Sequence, residues 1–161
     1  MRSLVKQGRI LELGCGGSKT IEDSIGIDLI NKGETIYTLV DVPSVADVVA
    51  DVTKPLPVEN EFFDTIIARH ILEHCVDIVS CLKNWSSKLK EDGKLIITVP
   101  DESIVMSIPL NPEHVHAFTG SSLKGIAELV GLKQIDFKDN YNGVSFTSVF
   151  QRNGVHHASS G

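Results

Sequence analysis

The chain has 161 residues, 42% of them hydrophobic and 22% charged, the composition of one ordinary globular domain rather than a disordered chain. A net charge of −6 with no Lys/Arg cluster argues against nucleic acid as a partner, and no apolar run approaches the roughly 20 residues needed to span a membrane. The opening stretch MRSLVKQGRILEL lacks a signal-peptide pattern, and three cysteines, Cys15, Cys75 and Cys81, cannot all pair, so a cytoplasmic setting is expected.

RILELG (9–14) is a short apolar run ending at glycine, the pattern of a buried strand. SIGIDL (24–29) and ADVVADV (46–52) repeat that pattern, the first ending close to an acid and the second containing one near its end. EFFDTIIA (61–68) is rich in β-branched and aromatic residues, and GKLIITVP (93–100) opens at a glycine and closes at proline. Between the last two, Val79, Leu82, Trp85 and Leu89 fall at helical spacing, with Gly93 suited to a C-terminal cap.

A second helix is expected over about 120–130, capped by Thr119 or Ser121, with Leu123, Ile126, Ala127 and Val130 as its apolar stripe. LKQIDF and GVSFTSVF follow as two strands, and Asn142-Gly143 between them is a hairpin signal. The expected architecture is α/β: a doubly wound, mostly parallel sheet with helices on both faces, ending in an antiparallel hairpin. Residues 1–150 read as one domain and 151–161 as a flexible polar tail.

Gly14 and Gly16 directly follow the first strand, Asp28 ends the second, and Asp51 ends the third. In doubly wound folds ligands bind at the carboxyl ends of the strands, where glycines let backbone approach a ligand and acids accept its hydroxyls or amines. A lone G-x-G is as often a plain turn, and a lone strand-end acid is usually solvated. Three consecutive strands carrying such groups at one end are harder to dismiss. A nicotinamide dinucleotide fits poorly: its G-x-G-x-x-G fingerprint would need glycine where Lys19 stands, and Asp28 comes too early for the ribose acid. An adenosine ligand without a pyrophosphate fits better.

ILELGCGG, IGIDL, ADVTKPLPVENEFFDTIIARHILEH, LKEDGKLIITVPD and HVHAFTGSSLKGIAELVGLKQIDF resemble, in order and spacing, the successive motifs of class I S-adenosylmethionine (SAM)-dependent methyltransferases. The likeness covers about residues 9–150 and points to the compact, small-molecule branch. It implies that Glu12, Gly14, Cys15 and Gly16 surround the methionine end of SAM, and that Asp28 holds the ribose while Leu29 packs on adenine. It further implies that Asp51 and the Val52 amide read the adenine edge, and that Ala68 and Arg69 line the pocket floor. Only SKTIEDS intervenes where the family has a full first helix, leaving at most a turn, and the usual N-terminal lid helices are missing. A homodimer whose partner covers the substrate side is therefore expected.

His70-x-x-Glu73-His74 matches the inverted zinc-peptidase spacing, which on a helix would put both histidines on one face. No third ligand can be recognised in the sequence, although Glu102, Glu113 and Glu128 are available acids, so no metal is expected. His70 is instead expected at the pocket mouth as the catalytic candidate, and His74 as a support at the helix–pocket junction. His114 and His116, in the loop after the fifth strand, are expected to shape the acceptor site. The reading is methyl transfer to a small molecule of unidentified chemistry. Its rivals are a non-catalytic SAM-binding regulatory protein and, behind that, a nicotinamide-dependent oxidoreductase.

Overall fold

The computed structural model describes residues 1–36, 42–139 and 142–152. Its strands are β1 (Ile10–Leu13), β2 (Ile25–Asp28), β3 (Thr35–Ile36), β4 (Val42–Pro43), β5 (Val48–Val49), β6 (Phe63–Arg69), β7 (Leu89–Pro100), β8 (Leu132–Lys138) and β9 (Ser145–Arg152). Its helices are α1 (Ile78–Ser87), α2 (Ser107–Leu110) and α3 (Gly120–Leu129).

Seven strands form one sheet in the order β5-β2-β1-β6-β7-β9-β8. The first five in that order are parallel, and β9 runs antiparallel to both β7 and β8. The chain winds outward from β1 through β2 to β5, then crosses to β6 on the other side of β1. Strand order therefore reverses between β1 and β6, so the turns after Leu13 and Arg69 flank the switch point where such sheets bind ligands. This is the expected α/β class, with the expected closing hairpin. Gly143 takes the left-handed φ of +87° in the β8–β9 connection.

The core explains why these runs became strands. Leu11, Leu13, Ile66, Leu95, Ile97 and Phe150 sit on one face of the sheet and pack against Leu82 and Trp85 of α1 and Leu123 and Ala127 of α3, all at most 1% exposed. Alternate residues Ile67, Ile96 and Val149 form a smaller cluster on the other face, met by Met1, Leu4, Val5 and Ile21. The expectation of helices on both faces is thus corrected: among the described residues, no α-helix contributes to the second cluster. Residues 14–24 join β1 to β2 through turns alone, so the segment that would carry the first helix is too short to build one.

Other boundaries also differ. The third strand pairs only at Val48–Val49 rather than over 46–52, and Asp47 just before it is tied to β2 twice: its amide donates to the Gly26 carbonyl and its carboxylate accepts the Gly26 amide, both at 2.8 Å. α1 ends at Ser87 with Lys88 as its cap, so Leu89 opens β7 and Gly93 lies inside that strand. A Cβ at Gly93 would meet the Lys90 carbonyl at 2.9 Å, so glycine here serves close backbone approach rather than a cap. The β3–β4 arm and α2 are structures the sequence did not announce. α3 does begin at the expected cap: Thr119 accepts the Ser122 amide, and the Ser122 hydroxyl accepts the Thr119 amide in return. β9 continues through Arg152, two residues into the expected tail, and 153–161 lie outside the described residues.

Candidate active site

Two glycines make the turn after β1. Gly14 and Gly16 have φ of +62° and +58°, angles that side-chain-bearing residues adopt at a cost. A Cβ on Gly14 would also stand 2.7 Å from Ile71 Cδ1. The amides of Gly14 and Cys15 both donate to the Ile27 carbonyl, at 2.8 and 3.2 Å. The Gly16 amide donates to Asp28 Oδ2 at 2.8 Å, tying the loop to the end of β2. The loop is therefore fixed by its neighbours and not by a helix of its own.

That work falls mainly on Glu12, which is 1% exposed. Its carboxylate accepts the amides of Thr20 and Ile21 and the Ser24 hydroxyl, each at 2.8 Å. Arg69 braces the same loop, donating to the Ser18 carbonyl at 2.7 Å with its guanidinium 3.9 Å from Glu12. A buried carboxylate holding three donors and a nearby cation is a compensated charge. It replaces the hydrogen bonds that a helix would have made internally.

Beside this loop lies a pocket of about 270 Å³, lined by Gly14, Asp28, Leu29, Ala50, Asp51, Val52, Thr53, Ile71 and His74. Leu29 is 65% exposed there, an apolar side chain free to meet a flat ligand. Asp51 Oδ1 accepts both the hydroxyl and the amide of Thr53, at 2.7 and 2.9 Å, and these bonds hold its carboxyl below the usual carboxylate range. Val52 is held from behind, its carbonyl accepting Trp85 Nε1 at 2.9 Å.

The H-x-x-E-H segment forms the adjoining wall. It is not a helix: Leu72–His74 is a single 3-10 turn, and α1 starts only at Ile78 after the Asp77 cap. His70 has a left-handed φ of +51°, and its amide donates to the Thr98 carbonyl at 2.8 Å. A histidine in that region is uncommon and carries strain of the sort that collects at functional sites. The peptidase geometry therefore fails. Glu73, fully buried, has His70 Nδ1 at 3.4 Å and His114 Nε2 at 3.9 Å from its Oε1. Its carbonyl accepts the amides of Val115 and His116, which pins the loop after β7 against the motif. His114 stacks edge-on against His74 at 4.8 Å. His116 turns elsewhere, its Nε2 3.0 Å from the Val76 carbonyl.

Comparison with known proteins gives the family of the chain. Residues 2–136 match the family described as "Methyltransferase domain". The chain belongs to that methyltransferase family. Solved structures with the same fold include SAM-dependent methyltransferases from Archaeoglobus fulgidus (18% identity, 89% of this chain and 85% of that one, TM-score 0.65). A Thermotoga maritima SAM-dependent methyltransferase is 17% identical over 94% of this chain and 86% of its own, with a TM-score of 0.67. One from Mesorhizobium loti is 13% identical over 94% and 95%, with a TM-score of 0.69. Among curated proteins, none matches the chain.

The family resemblance read from the sequence therefore holds, and SAM is the cofactor it implies. Gly14, Asp28, Leu29, Asp51 and Val52 line the pocket together, and a glycine with no room for a Cβ, an exposed apolar side chain and two strand-end acids suit an adenosine moiety. Gly16 stands one residue behind the lining, occupied with Asp28. Glu12 and Arg69 serve the loop, and Ala68 is buried in β6 beside Leu13. The Cys15 thiol packs where a side chain on Gly26 would begin; burial, aided by the Asp28 charge, pushes it up to about 11, so it is an inert filler. Ala50, Thr53, Ile71 and His74 joined the lining without having been assigned to the cofactor from sequence. Ile71 had a signal, as the apolar residue just after the turn that follows β6.

Proposed function

We propose that this methyltransferase moves the sulfonium methyl group of SAM to a small-molecule acceptor bound on the histidine side of the pocket. The observation that carries the reading is the convergence of Gly14, Asp28 and Asp51, from the ends of three strands, on one pocket whose wall includes His74. Bound SAM supplies an activated methyl carbon with a good leaving group. Asp28 would accept the ribose hydroxyls, Leu29 would pack on adenine, and Asp51 would take its amino edge. Such contacts fix the direction of an in-line displacement, and orientation is the main catalytic contribution such a reaction needs. His70 is half-exposed with Nδ1 turned toward Glu73, which leaves Nε2 to take a proton from an acceptor that must lose one. The same reading proposes a homodimer in which a second copy covers the acceptor side of the pocket; light scattering showing a fully active monomer would count against that.

The test is release of the demethylated product, S-adenosylhomocysteine, from SAM across a panel of small hydroxyl, amine and thiol acceptors, beside a panel of proteins. Turnover is expected with a small molecule, and to be lost in His70→Ala while SAM still binds. Turnover only with protein acceptors would contradict the small-molecule reading.

A further inference from the structure

We propose that Glu73, His74 and His114 form a binding site for one divalent first-row transition-metal ion at the edge of the methyl-transfer pocket. The sequence reading paired His70 with His74 and recognised no third ligand; the fold leaves His70 out and gathers Glu73 and His114 around His74, one ligand atom from each of these three lying within 4.8 Å of the others. His114 arrives from the loop after β7, forty residues beyond His74.

The carboxylate gives the strongest indication. Glu73 is fully buried, and neither of its oxygens has a hydrogen-bond partner among the described residues. A buried carboxylate keeps its charge only where a positive charge compensates it. His70 and His114 are the neighbours that face it, and neither makes a hydrogen bond to it.

Both histidines are already oriented as ligands. His74 Nδ1 is 3.1 Å from the Glu113 carbonyl, and His114 Nδ1 is 3.2 Å from the Ser107 carbonyl. A carbonyl only accepts, so each Nδ1 is the donor, and in the neutral ring Nε2 keeps the lone pair, the arrangement by which backbone carbonyls aim metal-binding imidazoles. The Asn111 side-chain amide, 3.2 Å from His114 Nε2, donates to that lone pair and would be displaced by an ion. The Glu73 carbonyl meanwhile holds Val115 and His116, so motif and loop are already joined.

The donor set selects the ion. Two imidazoles and one carboxylate suit zinc, cobalt, manganese or iron rather than magnesium or calcium, which prefer all-oxygen shells. Bonds of about 2.0–2.2 Å put neighbouring ligand atoms roughly 3–3.5 Å apart, so the cluster, whose ligand atoms now lie within 4.8 Å of one another, would tighten by up to about 1.5 Å. Three protein ligands leave a coordination position for water or for an acceptor heteroatom. Ion binding itself is independent of the methyl-transfer reading; only the role in holding an acceptor rests on it.

The experiment uses the full chain carrying H156A and H157A throughout, so that the histidine pair in the terminal segment cannot take the ion. After chelation and dialysis, cobalt(II) is titrated by visible absorption, zinc(II) by calorimetry, and S-adenosylhomocysteine by calorimetry on the same samples. One ion per chain is expected, with a tetrahedral or five-coordinate cobalt spectrum and a raised melting temperature. E73Q and H114Q should each weaken binding by about 100-fold or more and abolish the metal-induced rise in melting temperature. Metal-free E73Q should melt no lower than the parent, which certifies that it folds. Equal ion affinity in parent, E73Q and H114Q would overturn the proposal. So would a folded parent that binds S-adenosylhomocysteine and takes up neither ion. Ion uptake without S-adenosylhomocysteine binding would instead defeat the methyl-transfer reading and leave the metal site standing.

Discussion

At the scale of single residues, His70 concentrates two effects that substitutions can separate. Its left-handed backbone costs stability, while its ring faces Glu73 and solvent. His70→Gly and His70→Ala both remove the ring, but only glycine relieves the backbone. His70→Gly should therefore be more stable than His70→Ala by roughly 1 kcal/mol, read by thermal or denaturant unfolding. Both should lose turnover while keeping affinity for S-adenosylhomocysteine. Equal stability would mean that the left-handed angle stores no strain. Loss of cofactor affinity in both would move His70 from the acceptor side to the cofactor side.

At the scale of elements, the first crossover of this sheet is built from a carboxylate instead of a helix. Glu12→Gln keeps the shape but loses the charge and turns one acceptor into a donor facing an amide or hydroxyl. It should cost about 2–3 kcal/mol of stability and weaken S-adenosylhomocysteine binding as well, because the loop it anchors carries Gly14 and Gly16. A stable variant with unchanged affinity would show that the loop is held by something else. The strands were legible as continuous apolar runs, because β6 and the second half of β7 are buried on both faces, and the two long helices by a period near 3.6 along α1 and α3. β5 was overread because its apolar run is broken by an acid engaged sideways with β2. The strand-end acids and glycines were legible because topology sets their place. The Glu12 network and the approach of His114 to Glu73 were not, since both join segments whose meeting depends on loop paths that no periodicity records.

At the scale of the whole molecule, several acids are tuned alike. The Gly26 amide and Lys19 hold Asp47 down, the Thr53 hydroxyl and amide hold Asp51 down, and Lys90 holds Asp64 down. A carboxyl lowered on folding adds stability that is complete above its unfolded value near 4 and is lost as pH falls through the lower folded value. The melting temperature should thus be insensitive to these groups at neutral pH and fall below about pH 4. Asp47→Asn should melt lower at neutral pH and show a shallower acid decline; an unchanged acid slope would remove Asp47 from the account. No helix of the described residues is long and apolar enough to cross a membrane. The central claim is that this pocket takes adenosine through Asp28 and not a dinucleotide. Titration calorimetry with S-adenosylhomocysteine and NAD, on the parent and on Asp28→Ala, measures it directly. The account predicts one S-adenosylhomocysteine per chain, no NAD binding, and a loss of roughly 2–4 kcal/mol in folded Asp28→Ala. Tight NAD binding without S-adenosylhomocysteine binding, or full affinity in the variant, would contradict it.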